Sequence, residues 1–269
     1  MLRFASKDDI PQLQALWHEA FADSPEYIAG FYNINFSPEL AVLLELDGSV
    51  CAMAHLLPSE LICRGERLPA RYIYAVAVKR ELRGRGFGGE LMRFVARWLE
   101  QNRLGGFLVP ASAGLYEYYR RFGFVEAFGA HSRTVAASGE LLCTLSPVSS
   151  GELLGMRERF FADIPHESWP EEQFSFIRRD IERSGGQFFK ICSQNTQGYM
   201  LCYKVDNRLT VREYTVPEKL LSGALYALGE PTAAAAAPAG SFEGCDISGM
   251  TLGRVFPGNI PAWLGYDMQ

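Results

Sequence analysis

The stretch "VAVKRELRGRGFGGELMRFV", Val76–Val95, leads from an apolar strand into an apolar helix through four glycines set among basic residues. Gly84, Gly86, Gly88 and Gly89 can adopt backbone angles that a Cβ forbids, and they let a ligand approach the main chain. From Leu91 the apolar positions Leu91, Phe94, Val95, Trp98 and Leu99 fall at helical spacing, so the glycines feed a helix N-terminus. Such a terminus presents unpaired N–H donors and the positive end of the helix dipole. Lys79, Arg80, Arg83 and Arg85 add charge against one acid, Glu81. An anion, most simply a phosphate, is the expected ligand.

The rest of the chain narrows the class. Its 269 residues, 48% of them apolar, suffice for one large domain or two ordinary ones. The start, "MLRFASKDDIPQL", has neither the basic segment nor the apolar run of a signal peptide, and no run of about 18 apolar residues occurs. A soluble, cytoplasmic protein with no membrane association is expected. The six cysteines are scattered without a C-x-x-C pair, which indicates neither a zinc site nor a redox motif, and no metal is expected. A net charge of -5 argues against nucleic acid as a partner, because phosphate-backbone binding needs a broad basic face. The basic cluster at 79–85 is local, which suits a small anionic ligand.

Three phosphate-binding motifs compete for the loop. Gly84, Gly86 and Gly89 satisfy G-x-G-x-x-G, but "KRELR" separates the strand from the first glycine, and the next strand candidate, "GGFLVPAS", carries no acid for a ribose hydroxyl. No G-x-x-x-x-G-K-[ST] is present for a P-loop. The third motif is R-x-x-G-x-G, formed by Arg83, Gly86 and Gly88 directly after the strand "YIYAVAVK". With it the sequence resembles the GNAT superfamily of acyl-CoA-dependent N-acetyltransferases, whose pyrophosphate loop has this form between the fourth strand and third helix. "LRFASKDDIPQLQALWHEAFADSPEYI" is similar to the family's opening strand and helix pair. "AVLLELDGSVCAMAHLLP" is similar to its early antiparallel strands, with a turn at Asp47 and Gly48. "LYEYYRRFGFV" resembles its F-Y-x-x-x-G-F segment. The likeness covers about residues 1 to 135.

The resemblance implies acetyl-CoA as cosubstrate. Its pyrophosphate is assigned to the loop at Arg83, Gly84, Arg85, Gly86, Gly88 and Gly89. Its pantetheine amides are assigned to backbone groups of Val76, Ala77 and Val78, like an added strand. Alternation places Tyr72, Tyr74, Val76 and Val78 on one strand face and Ile73, Ala75 and Ala77 on the other. The family also implies a backbone N–H, by position Val76, for the oxyanion and a tyrosine to protonate the departing thiolate. Aligning the aromatic motif on "YYRRFGF" gives Tyr119 that role, with Tyr118 in the preceding slot. A phenol near pKa 10 and a thiol near 8.5 leave that transfer uphill by about two units at most. Glu26, His55, Glu60 and Glu117 are all open as the base, and none is chosen.

After Pro147 the order of helices and strand-like runs echoes the first half. "YAV" at Tyr74 pairs with "YTV" at Tyr214, and "LGGFLVPASAG" at Leu104 with "LGEPTAAAAAPAG" at Leu228. The second copy has "PEKLLSGALYALGE" where the glycine loop belongs. Its alanine run, 233–237, reads equally as a linker or a short buried strand. Trp263 and Tyr266 are candidates to line an acceptor pocket, with core packing the plainer role. The expected fold is therefore a mixed α/β (α+β) sheet in tandem: a GNAT N-acetyltransferase domain over 1–140 and a degenerate GNAT-like domain over 141–269. The expected activity is transfer of an acetyl group from acetyl-CoA to a primary amine, with a small molecule as acceptor. The alternatives are a non-catalytic acetyl-CoA sensor and an enzyme using a longer acyl-CoA.

Overall fold

The computed structural model describes all residues except 254, 257–259 and 266–269, so Tyr266 lies outside the described residues. The chain divides into two compact units. Unit 1 comprises Met1–Glu60, Leu68–Glu126 and Gly249–Val255; unit 2 comprises Leu61–Arg67, Ala127–Ser248 and Phe256–Gln269.

Unit 1 opens with β1 (Leu2–Phe4), α1 (Ile10–Phe21) and α2 (Pro25–Asn35). Ser24 caps α2 by accepting from the Tyr27 N–H, and Pro25 occupies the first helical position, where no N–H is needed. The strands β2 (Ala41–Leu46), β3 (Ser49–Cys63) and β4 (Glu66–Val78) follow. Asp47 and Gly48, both at positive φ, make the tight turn between β2 and β3 that the sequence predicts. Then come α3 (Phe87–Gln101), β5 (Gly105–Leu108), α4 (Ala113–Arg120) and the start of β6 (Phe124–Ala136). The strand order is β1-β2-β3-β4-β5, with β4 and β5 parallel as a crossover helix requires. Leu91, Met92, Val95 and Leu99 of α3 are buried in one core cluster with Ile73. Each such side chain contributes about 1.5–3 kcal/mol by leaving water. Across the sheet, the buried Trp17 of α1 packs its ring against Phe31, Tyr32, His55 and Tyr74.

Unit 2 repeats that order. It runs through β7 (Thr144–Ser146), α5 (Ser150–Phe160), β8 (His166–Ser168), α6 (Glu171–Arg183), β9 (Gln187–Cys192), β10 (Gln197–Val205), β11 (Arg208–Tyr214), α7 (Glu218–Leu228) and β12 (Thr232–Pro238). The neighbours β7-β9-β10-β11 are antiparallel, and β11 runs parallel to β12 on the far side of the α7 crossover. The alanine run is thus a strand, with Ala233 and Ala235 buried. Tyr74 of "YAV" and Tyr214 of "YTV" do fall on corresponding strands, but the two tyrosines face opposite ways. Tyr214 packs with Leu221, Ala224 and Leu225 of the crossover helix, whereas Tyr74 stacks on Tyr72 and meets α1.

A single cut after Glu140 does not describe either unit. β6 runs unbroken from Phe124 to Ala136 and pairs with β12, so the chain enters unit 2 within a strand. The place beside β5 is taken instead by β13 (Asp246–Leu252), which pairs Met250 with Leu108 and Thr251 with Phe107. Met250 and Thr251 are fully buried. The strand beside β5 is therefore drawn from the second half of the sequence. Among the described residues no helix is long and apolar enough to cross a membrane.

A buried ionic group anchors unit 2. Arg157 of α5 donates through Nη2 to Glu167 (2.8 Å) and through Nε to Glu213 (3.2 Å), and all three side chains are sealed from solvent. Tyr199 and the Trp263 indole N–H also donate to Glu213. Trp263 is stacked on Phe161 and buried, so core packing is the role the structure gives it. Burial pushes the Glu167 carboxyl up to about 7, against the pull of Arg157.

Candidate functional site

β4 pairs with β5 from Ala70 to Tyr72 and then runs on to Val78 without it. In that extension Ala75 has φ 49, a left-handed value in a non-glycine residue. This breaks the expected alternation. Val76 and Val78 pack with Ile73 against the α3 cluster, while Tyr72 and Tyr74 stack on each other on the opposite face. A one-residue irregularity of this kind shifts every later side chain to the other face.

The chain then makes one short helical turn at Arg80–Leu82 and enters the glycine loop. The Arg83 Nε donates to the Val78 carbonyl (3.1 Å), folding the loop back on its strand. Gly84 (φ 79) and Gly86 (φ 91) turn the chain in a region L side chains rarely adopt, and the space beside each is open. Gly86 is the N-cap of α3, so no side chain caps the first amides of the helix. Gly88 is small for another reason: a Cβ there would meet the Tyr118 hydroxyl and Val78.

These elements enclose a cavity of about 750 Å³. Of the residues expected to bind cofactor, Val76, Ala77, Val78, Arg83, Gly84, Gly86, Gly88 and Gly89 line it, and so does Tyr119. Arg85 does not: it is exposed, between Gly84 and Gly86. Among the described residues the lining includes Arg83, Arg93 and Arg121 and no acidic side chain, which gives the cavity a positive potential. Arg93 and Arg121 are the residues that sequence reasoning missed. The signal for the first was its spacing, four residues after Gly89 and so on the same helical face; for the second, its place in "YYRRFGF".

Tyr119 is 7% exposed, its ring against Tyr118 and Phe124. Burial, assisted by Tyr118, raises its phenol well above the usual value. The gap of two units at most is therefore corrected: full transfer of this proton to a thiolate is more uphill, and donation of a hydrogen bond is what the site offers at neutral pH. None of Glu26, His55, Glu60 and Glu117 lines the cavity. His55 is buried, bonded through Nε2 to the Tyr32 hydroxyl (3.0 Å), and burial lowers it to about 3, which leaves a weak base. Glu117 is paired with Arg120.

Known proteins place this arrangement. Residues 1–127 match the family described as acetyltransferase (GNAT) domain. No curated protein matches the sequence. Among solved structures, a GCN5-related N-acetyltransferase from Anabaena variabilis is similar over 93% of this chain and 72% of its own, with a TM-score of 0.73 and 16% identity. A probable N-acyltransferase from Enterococcus faecalis gives the same coverage and TM-score at 14% identity. A GCN5-related N-acetyltransferase from Kribbella flavida covers 93% of this chain and 70% of its own, at TM-score 0.70 and 16% identity. At such identities the likeness speaks for the fold alone, and it extends through both units. The family match is confined to the first half of the chain: residues 1–127 are similar to the acetyltransferase (GNAT) domain.

Proposed function

We propose that this chain is an acetyl-CoA-dependent N-acetyltransferase whose acceptor is a primary amine on a small molecule. The observation that carries the reading is the cavity. Its wall combines three arginines and the uncapped start of α3 with the free-running end of β4, and among the described residues it holds no acid. A diphosphate suits the first part and an amide-bearing arm suits the second.

In this reading the main chain at Val76–Val78 aligns the arm, and the Val76 N–H faces the carbonyl oxygen as negative charge develops on it. The amine nitrogen bonds to the thioester carbon, the carbon–sulfur bond breaks, and the electron pair leaves on sulfur. Tyr119 donates a hydrogen bond to that thiolate, and the departing thiolate takes its proton from water. The proton shed by the amine passes to water at the cavity mouth.

The test pairs binding with turnover. CoA and acetyl-CoA are expected to raise the melting temperature dose-dependently, because they bind the folded state, and NAD is expected not to. Thiol release from acetyl-CoA is then followed across a panel of small amines. Turnover with one of them supports the proposal. Stabilisation by NAD without CoA overturns the cofactor assignment, binding with no turnover makes the chain a sensor, and faster release from a longer acyl-CoA overturns the acetyl assignment.

A further inference from the structure

Two helical N-termini follow one another in the stretch around the glycines. The later one, at Gly86, carries no side-chain cap, which leaves the first amides of α3 to a ligand. The earlier one opens the short turn Arg80–Leu82, and its cap comes from a distant part of the chain. The Arg80 N–H donates to Oε1 of Glu19, in the last turn of α1, at 2.6 Å. Lys79, which stands in the capping position, has no side-chain acceptor, and its ammonium donates instead to the Ser49 hydroxyl at 2.6 Å.

Glu19 is half-buried and does not line the cavity, whereas the next two residues, Ala20 and Phe21, do. So do Arg83, Gly84 and Gly86, which follow the turn. The hydrogen bond therefore joins two walls of one cavity, the end of α1 and the glycine loop. Two other ties run from this segment to the sheet: the Lys79 N–H donates to the Cys51 carbonyl of β3 at 2.9 Å, and the Arg83 Nε donates to the Val78 carbonyl of β4. A carboxylate this close to a positive cavity weakens the attraction of an anion, so its charge gives it no use there. Its hydrogen bond does.

We propose that Glu19 is a positioning residue for the cofactor: by capping the turn at Arg80 it holds the glycine loop against α1 in the conformation that receives the pyrophosphate. The proposal rests on the acetyl-CoA reading above, and adds to it a residue that touches neither the cofactor nor the reacting atoms. A loop that leaves its binding conformation lowers the apparent affinity by the fraction of time it spends away.

Calorimetry with CoA on the full chain tests it. Glu19→Ala is expected to bind CoA about three- to tenfold more weakly, the range given by loss of one such hydrogen bond, with the melting temperature of the unliganded protein nearly unchanged. Glu19→Gln keeps an oxygen that accepts from the same N–H and is expected to restore most of the affinity. The donor is removable too. Proline has no N–H, and Arg80 is the first residue of a helical turn and follows a residue with ψ 135, a setting that accepts proline. Arg80→Pro is expected to bind more weakly than Arg80→Ala, which keeps the N–H and sets the baseline for the lost side chain, by the same factor as Glu19→Ala. In the Glu19→Ala background the proline is expected to add no further loss. Wild-type affinity in Glu19→Ala, losses at the two positions that multiply, or no rescue by Glu19→Gln each overturns the positioning role and leaves the acetyl-CoA reading standing. Failure of the wild type to bind CoA removes both together.

Discussion

The hydroxyl oxygen of Tyr118 lies 2.7 Å from the point where a Cβ on Gly88 would stand. The glycine at the start of α3 and the aromatic on α4 therefore share one space, and the missing side chain lets α4 close on the helix terminus. Gly86, two residues earlier, has open space around it and is fixed by its φ of 91 instead. The loop thus contains two kinds of required glycine.

The two kinds respond differently to alanine. Gly88→Ala is expected to push Tyr118 aside and weaken CoA binding, and Tyr118→Phe, which removes the colliding oxygen, is expected to restore much of the loss. Gly86→Ala is expected to weaken binding through backbone strain of about 1–3 kcal/mol, with no rescue by Tyr118→Phe. A calorimetric double-mutant cycle separates them: no coupling between positions 88 and 118 would rule out the shared space.

Tyr119→Phe keeps the buried ring and removes its oxygen. Turnover is expected to fall about a hundredfold, with CoA affinity and melting temperature nearly unchanged. Tyr116→Phe and Tyr118→Phe are expected to be milder in rate. Because burial raises the Tyr119 phenol, it stays protonated throughout the neutral and mildly alkaline range, so its ionisation contributes no alkaline limb below the raised value. Full activity in Tyr119→Phe would remove its role.

Glu167 gives stability a pH slope of unusual sign. Its carboxyl titrates near 4.5 in an unfolded chain and near 7 when buried, so between these values the native state holds the extra proton. Stability from this group is therefore fully present below about pH 4.5, declines as pH rises to about 7, and is level above that, a total of the order of 3 kcal/mol. Denaturant titrations of wild type and Glu167→Gln at several pH values are expected to show this slope only in the wild type. The same slope in both would place its origin in another group.

Cutting the chain after residue 140 is expected to yield an aggregating or unfolded product. The cut removes β13, strips Met250 from the core it shares with α3, and leaves the β5 edge open. Circular dichroism and size exclusion compare it with the intact chain, and a folded, monomeric 1–140 fragment would contradict the expectation.

Much of this was legible because it is local. Strand, loop and helix periodicity around 76–95, the Asp47-Gly48 turn and the order of elements in the second half are all carried by neighbouring residues. What stayed hidden depends on partners distant in sequence. The reason for Gly88 is a hydroxyl thirty residues on, the shift at Ala75 has no glycine to announce it, and nothing in "DISGMTL" says which strand it will join. Arg93 and Arg121 look like ordinary surface charges until the fold brings both to one cavity wall.

The placement of β13 also sets a timetable. As the chain leaves the ribosome, the residues that line the cavity emerge well before the strand that pairs beside β5. Until then an incomplete catalytic unit must wait through the synthesis of the whole intervening sequence with an open strand edge. A finished first unit therefore requires translation through β13, so termination between β6 and β13 leaves that unit without the strand beside β5.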